Sequence, residues 1–160
     1  MKIAYLHGLE RKLSGEKRLV LETFGQVWAP EMKYQQPKML SSLLEDAPFE
    51  PDAVIGSSMG GYAAYFLSRC WSCDALLFNP AFVNRPFDPD LTGLYYPQDE
   101  HPFMQIILGE VDDVIPPDLN QAYIEANLST EDIDIFVRAG LGHRIPLPVF
   151  EEEVTAFFEY

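Results

Sequence analysis

Basic residues are scarce in this chain: 11 lysines and arginines stand against 25 aspartates and glutamates, a formal charge of −14 over 160 residues. A surface this negative repels phosphate backbones and anionic lipid headgroups. The cations gather in nothing larger than the pairs Arg11-Lys12 and Lys17-Arg18, which argues against nucleic-acid binding. Long apolar runs are also missing. No stretch approaches the roughly 18 to 20 residues of a membrane span. The opening Met1-Lys2-Ile3-Ala4-Tyr5-Leu6 is too short for a signal peptide and runs straight into His7-Gly8. The expectation is a soluble, cytoplasmic protein with no membrane partner. Cysteine is limited to Cys70 and Cys73. A redox Cys-x-x-Cys normally opens a helix after a strand, whereas this one falls where a helix closes, and a zinc site would need two further ligands at suitable spacing. No metal and no cofactor are expected, and the thiols read as packing residues. Internal repeats and low-complexity segments are absent as well.

What is present is apolar and patterned. With 48% apolar residues, a chain of this length forms one domain, 1–160, burying roughly two thirds of its unfolded surface. Short apolar runs predict strands over 2–6, 26–29, 53–57, 75–78, 104–109 and 133–137. Amphipathic stretches predict helices over 15–24, 37–46, 59–70, 117–127 and 147–159. The strands are uninterrupted rather than alternating, as in a sheet covered on both faces, so the fold class is a three-layer α/β/α sandwich around a mostly parallel sheet of about six strands. Pro37 and Pro117 sit where a first helical turn accepts proline, and Ser14 or Gly15 can begin the first helix. Residues 80–103 form a long proline-rich connection without regular structure.

Gly56-Ser57-Ser58-Met59-Gly60 carries the chemistry. It fits Gly-x-Ser-x-Gly and lies between the run Ala53-Val54-Ile55 and the helix former Gly61-Tyr62-Ala63-Ala64, the strand-to-helix turn on which a nucleophilic serine is presented. Such a pattern arises by chance about 0.05 times in a chain of this size, so its company matters. Asp112 or Asp113 follows a later strand, and His143 comes near the C-terminus, giving the order Ser, Asp, His. His7-Gly8, Ser58, Asp112 and His143 all follow predicted strands, and in a parallel sheet ligands bind outside those C-terminal strand ends.

Tyr5-Leu6-His7-Gly8, the 56–62 elbow, Asn79-Pro80-Ala81 and Gly142-His143 together resemble the small, lid-less bacterial esterases of the YqiA/YcfP-like branch of the α/β-hydrolase superfamily. The resemblance spans nearly the whole chain. It implies a minimal α/β-hydrolase core lacking the first two strands of the full fold, with esterase or thioesterase activity on acyl substrates. Arg144-Ile145-Pro146 departs from that pattern in a way that bears on substrate preference. The superfamily spacing Gly109-x-x-Asp112 before Ile115-Pro116 favours Asp112 as the acid, with Asp113, Asp88 and Asp90 as the other candidates.

Roles follow from chemistry. Ser58 attacks an acyl carbonyl, His143 shuttles its proton, and the carboxylate holds the imidazole. The backbone N–H groups of Met59 and Leu9 are the expected oxyanion donors. His7 and Gly8 border the pocket, His7 bracing the oxyanion loop rather than moving protons. Tyr95 and Tyr96, from the 80–103 segment, are a candidate pocket wall, with core patching as the other reading of these aromatics. His101 reads as a surface residue. The function expected is a cofactor-free serine hydrolase of small carboxylic esters or thioesters. The alternatives are an idle scaffold of the same fold that binds a small molecule or partner protein, and a flavodoxin-like or nucleotide-binding fold. Against the last, His7-Gly8-Leu9-Glu10-Arg11 lacks the glycine spacing and lysine of a phosphate loop.

Overall fold

The computed structural model describes residues 1–9 and 11–159. Six strands, β1 (Lys2–Leu6), β2 (Gln26–Trp28), β3 (Ala53–Ser57), β4 (Asp74–Phe78), β5 (Met104–Gly109) and β6 (Ile133–Arg138), form one sheet in the order β2-β1-β3-β4-β5-β6. Every pairing is parallel. Among the described residues there are also five helices: α1 (Gly15–Glu22), α2 (Met39–Asp46), α3 (Met59–Trp71), α4 (Pro117–Asn127) and α5 (Leu147–Phe158).

Alternate side chains of each strand feed opposite faces, which makes two cores from one sheet. Ile3, Tyr5, Ile55, Leu76, Phe78 and Ile107 pack with Leu21 of α1 and with Phe150 and Val154 of α5. Ala4, Leu6, Val54, Leu77, Ile106 and Leu108 pack with α2, α3 and Ile124 of α4. Full burial of a side chain such as Leu6 or Phe78 stabilises by about 1.5–3 kcal/mol, and it is concentrated in β1, β3, β4 and β5, whose side chains are almost wholly enclosed. The uninterrupted apolar runs of these central strands are the direct result. At the edge, β6 leaves Phe136 and Val137 half exposed.

The starts of α1 and α4 follow local chemistry, and that of α2 does not. Ser14 caps α1 by accepting from the Lys17 amide at 3.2 Å, and Pro117 is the first residue of α4. Pro37, expected in the first turn of α2, lies outside that helix. Lys38 takes a left-handed φ of 54°, so α2 begins at Met39. The Lys38 amide is taken up by Asp90 Oδ2 at 2.8 Å, a partner 52 residues away. Residues 80–103 contain neither helix nor strand.

The chain changes direction across the sheet between β1 and β3. From β1 it passes outward to β2, then returns to the other side of β1 and continues through β3 to β6. The loops leaving β1 and β3 therefore diverge and open a crevice at the C-terminal ends of the strands. His7-Gly8-Leu9 and Ser58 occupy those two exits. Among the described residues no helix is long and apolar enough to cross a membrane.

Candidate active site

Ser58 is the residue between β3 and α3, with φ 57° and ψ −120°, a conformation that costs a non-glycine residue about 1–3 kcal/mol. Surrounding backbone holds it there. The Ser58 amide donates to the Phe78 carbonyl at 3.0 Å, and its own carbonyl accepts from Ala81 at 2.9 Å and Tyr62 at 3.1 Å. A Cβ at Gly56 would lie 2.1 Å from the Gly60 carbonyl oxygen, and one at Gly60 would lie 1.9 Å from that of Leu6. The motif glycines are thus points where β3, α3 and β1 touch main chain to main chain. Ser58 makes no side-chain capping bond. Met59 opens α3, so its amide belongs to the first-turn donors that have no acceptor within the helix.

The β1 exit passes beside this turn. A Cβ at Gly8 would stand 3.5 Å from Ser58 Cβ and from the Ser57 oxygen, ordinary van der Waals contact. His7 is buried, and its Nε2 accepts from the Met32 amide at 2.9 Å. Its Nδ1 therefore bears the proton and faces the Gly8 carbonyl. The Tyr34 hydroxyl donates to the His7 carbonyl, and burial pushes that phenol well above its usual range, keeping it a donor. His7 spans from the 29–38 connection to the β1 loop. It is a brace beneath the crevice, and its ring is withdrawn from the pocket. Leu9 continues the loop toward solvent.

On the other side, Asp112 and His143 come together across 31 residues: His143 Nδ1 donates to Asp112 Oδ2 at 2.9 Å. The carboxylate is enclosed, while the imidazole side chain is 23% exposed. Asp112 Oδ1 accepts from the Val114 and Ile115 amides, each at 2.9 Å, so both oxygens are engaged and the carboxylate is fixed in orientation. With Nδ1 as donor, the neutral ring keeps a lone pair on Nε2. Among the described residues none of the other candidate acids bonds the His143 ring. Asp113 is exposed, Asp88 pairs with Arg85, and Asp90 holds the Lys38 and Thr92 amides. Among the described residues no hydrogen bond joins Ser58 Oγ to the His143 ring. Such contacts are often long without substrate and tighten when it binds.

Between the two sides stands Asn79, which sequence reasoning used only as a marker of resemblance. Its Oδ1 accepts from the Gly109 amide at 2.7 Å, and its Nδ2 donates to the carbonyls of Gly142 at 3.0 Å and His143 at 3.1 Å. The signal available in the sequence was a polar residue closing the apolar run Ala75-Leu76-Leu77-Phe78 at a strand exit. The 29–38 connection, missed as a site element, carries prolines near both ends, Pro30 and Pro37, and leaves β2 at the same edge.

Beside Leu9 a cleft of about 320 Å³ is lined by Met32, the 33–36 turn and Phe87. A second trough shares Tyr34 to Gln36 and Phe87 with it and runs on to Pro37 and Asp90. Of the aromatics in the 80–103 segment it is Phe87, not Tyr95 or Tyr96, that lines these clefts. Tyr96 packs on Phe66, with the Arg69 guanidinium 4.4 Å from its ring centre. Arg69 is ten residues past Met59, roughly 15 Å along α3 from Ser58. Tyr95 is 75% exposed. Neither tyrosine lines these two clefts; the segment packs onto the core through Phe82 and Leu91 and lines the cleft beside Leu9 through Phe87. Cys73 is buried, its thiol pushed up to about 12 by that burial, and the Cys70 thiol is raised for the same reason. His101 is exposed. Among the described residues no group of three or more His, Cys, Asp or Glu side chains is placed to hold a metal ion.

Comparison with known proteins agrees with this architecture. Residues 2–102 match the family described as Uncharacterised protein family (UPF0227). That span contains Ser58 and Asn79, while Asp112 and His143 lie beyond it. Among solved structures, α/β-hydrolase domain-containing protein 10 from mouse superposes with a TM-score of 0.71 at 13% identity, over 99% of this chain and 88% of its own. Est1E from Butyrivibrio proteoclasticus gives 0.66 at 17% identity, over 99% and 86%. The monoacylglycerol lipase of Paleococcus ferrophilus gives 0.63 at 17% identity, over 98% and 93%. At these identities the likeness is one of fold, and the fold is that of the α/β-hydrolases.

Proposed function

Starting from a chain that belongs to the UPF0227 family and has the α/β-hydrolase fold, we propose a serine hydrolase that cleaves small carboxylic esters or thioesters. The observation that carries this reading is the Asp112–His143 hydrogen bond at a strand exit of the sheet that presents Ser58 on a strained turn.

In this mechanism His143 Nε2 takes the Ser58 proton as Oγ bonds to the acyl carbon, and the carbonyl oxygen becomes an oxyanion. The Met59 and Leu9 amides stabilise that charge. Loss of one such donor typically lowers the rate about 10²- to 10³-fold. Collapse of the intermediate breaks the carbon–leaving-group bond, and His143 returns the proton to the departing alcohol or thiol. Water then repeats the sequence on the acyl-Ser58 ester, releasing the carboxylic acid and restoring the serine. Asp112 holds the ring with Nδ1 protonated throughout and stabilises the imidazolium. The leaving group or acyl chain lies in the cleft beside Leu9, against Phe87. A cytoplasmic setting and a small-molecule substrate belong to the same reading.

The missing hydrogen bond between Ser58 and His143 is what favours the second reading, a scaffold that binds without turning over. A fluorophosphonate probe separates the two. Stoichiometric labelling mapped to Ser58 and abolished in Ser58→Ala supports the hydrolase; folded protein that stays unlabelled identifies the scaffold.

A further inference from the structure

The turn 78–81 touches the backbone around all three candidate catalytic residues. Its outer residues grip the serine: the Phe78 carbonyl accepts the Ser58 amide, and the Ala81 amide donates to the Ser58 carbonyl. Its central side chain grips the other two. Asn79 Nδ2 bonds the carbonyl of His143 itself and that of Gly142. Asn79 Oδ1 bonds the amide of Gly109, whose carbonyl in turn accepts the Asp112 amide at 3.1 Å.

Three features mark this as more than ordinary satisfaction of a buried polar group. Asn79 is 1% exposed, so its carboxamide is itself enclosed, and its bond to the Gly109 amide is fully buried. Its backbone sits at φ 41°, a left-handed conformation that asparagine accepts more readily than most residues, and this aims the amide across the strand exits. The far side of the turn is clamped too. Asn120 of α4 donates to the Pro80 carbonyl at 2.8 Å, and the Pro80 ring lies only 2.9 Å from where a Cβ on Gly61 of α3 would be.

We propose that Asn79 is the positioning residue of this site: its carboxamide sets His143 and the base of the Asp112 loop in register with Ser58. The proposal rests on the serine-hydrolase reading and deepens it. The ring of His143 is attached to a main chain held by one side chain just past the end of β4, the strand whose Phe78 carbonyl also holds the Ser58 amide. Movement of the Gly142-His143 carbonyls by about 1 Å would swing Nε2 away from the hydroxyl, and misplacement on that scale costs on the order of 10² in rate. Asn79 touches no reacting atom, so its loss should lower kcat and leave substrate binding in the Leu9–Phe87 cleft intact.

Two variants test it with a p-nitrophenyl ester as substrate. Asn79→Asp keeps the shape and an acceptor for Gly109 but turns an oxygen toward the two carbonyls. Asn79→Gly keeps the left-handed backbone at no steric cost and removes all three bonds. Both should lower kcat about 10²-fold with KM within about threefold. In each, the low-field proton resonance of the His143–Asp112 hydrogen bond should shift or broaden, which a remote structural lesion would not cause. Wild-type kcat in folded Asn79→Gly would overturn the proposal while leaving the hydrolase reading intact. An unlabelled wild-type Ser58 would instead defeat the reading beneath it. If neither variant folds, Asn79 belongs to the fold and the proposal is overturned as well.

Discussion

Ser58 is tied to its neighbours through main-chain atoms, whereas Asp112 and His143 are tied through side chains. Around Ser58 the contacts are amides, carbonyls and glycine α-carbons of β1, β3, β4, α3 and their adjoining turns. Around Asp112 and His143 they are a carboxylate, an imidazole and the Asn79 carboxamide. The first kind of attachment tolerates no added atom. The second tolerates no change of atom type.

That contrast can be broken most sharply at the carboxylate. Asp112→Asn keeps the volume but replaces an acceptor, so kcat should fall about 10⁴-fold, while Asp113→Asn, on an exposed neighbour, leaves kcat unchanged. Steady-state kinetics on both variants decide it, and the opposite ranking would move the acid to the next residue.

Steric addition comes second in size. Gly60→Ala places a methyl 1.9 Å from the Leu6 oxygen and 2.8 Å from that of His7, both main chain, so it should cost about 3 kcal/mol or more. Gly8→Ala meets its nearest atoms at 3.5 Å and should stay within about 1 kcal/mol. Urea midpoints at constant m-value compare them; equal midpoints would mean that the motif glycines do not act through close contact.

The smallest effect lies outside the site, where the side-chain mode of attachment recurs. Hydrogen bonds from Thr92 and from the Lys38 amide hold the Asp90 carboxyl down at about 2, below its ordinary 3.8. A depressed carboxylate contributes stability that is fully present above the ordinary value and is lost as pH falls through the folded one. The melting temperature of the native protein should therefore exceed that of Asp90→Asn above about pH 4 and converge with it near pH 2. A gap independent of pH would show that the ionised form contributes nothing.

How much of this was written in the sequence follows the same division. The central strands and the helices around them were legible because full burial imposes uninterrupted apolar runs, and the helix at 117–127 began where Pro117 announced it. The Ser58 turn was legible because strand, glycines and helix are contiguous. Asn79 was not, because its partners lie 30, 63 and 64 residues ahead, and no local pattern specifies which carbonyls a buried amide will meet. The start of α2 failed for the same reason, since Lys38 turns left-handed against a carboxylate 52 residues away. Among the aromatics of 80–103, composition marked a cluster, but which ring faces the crevice depends on how Arg85 pins the segment. It binds the Ala81 and Phe82 carbonyls while stacking over Tyr62, 4.2 Å from the ring centre.

The state of the two thiols has a practical side. Alkylating reagents consume the thiolate, and burial raises Cys70 and takes Cys73 to about 12. A cysteine introduced on an open loop would react with a maleimide dye well before either native one. The protein can therefore carry a single fluorophore with its own sulfurs left in place.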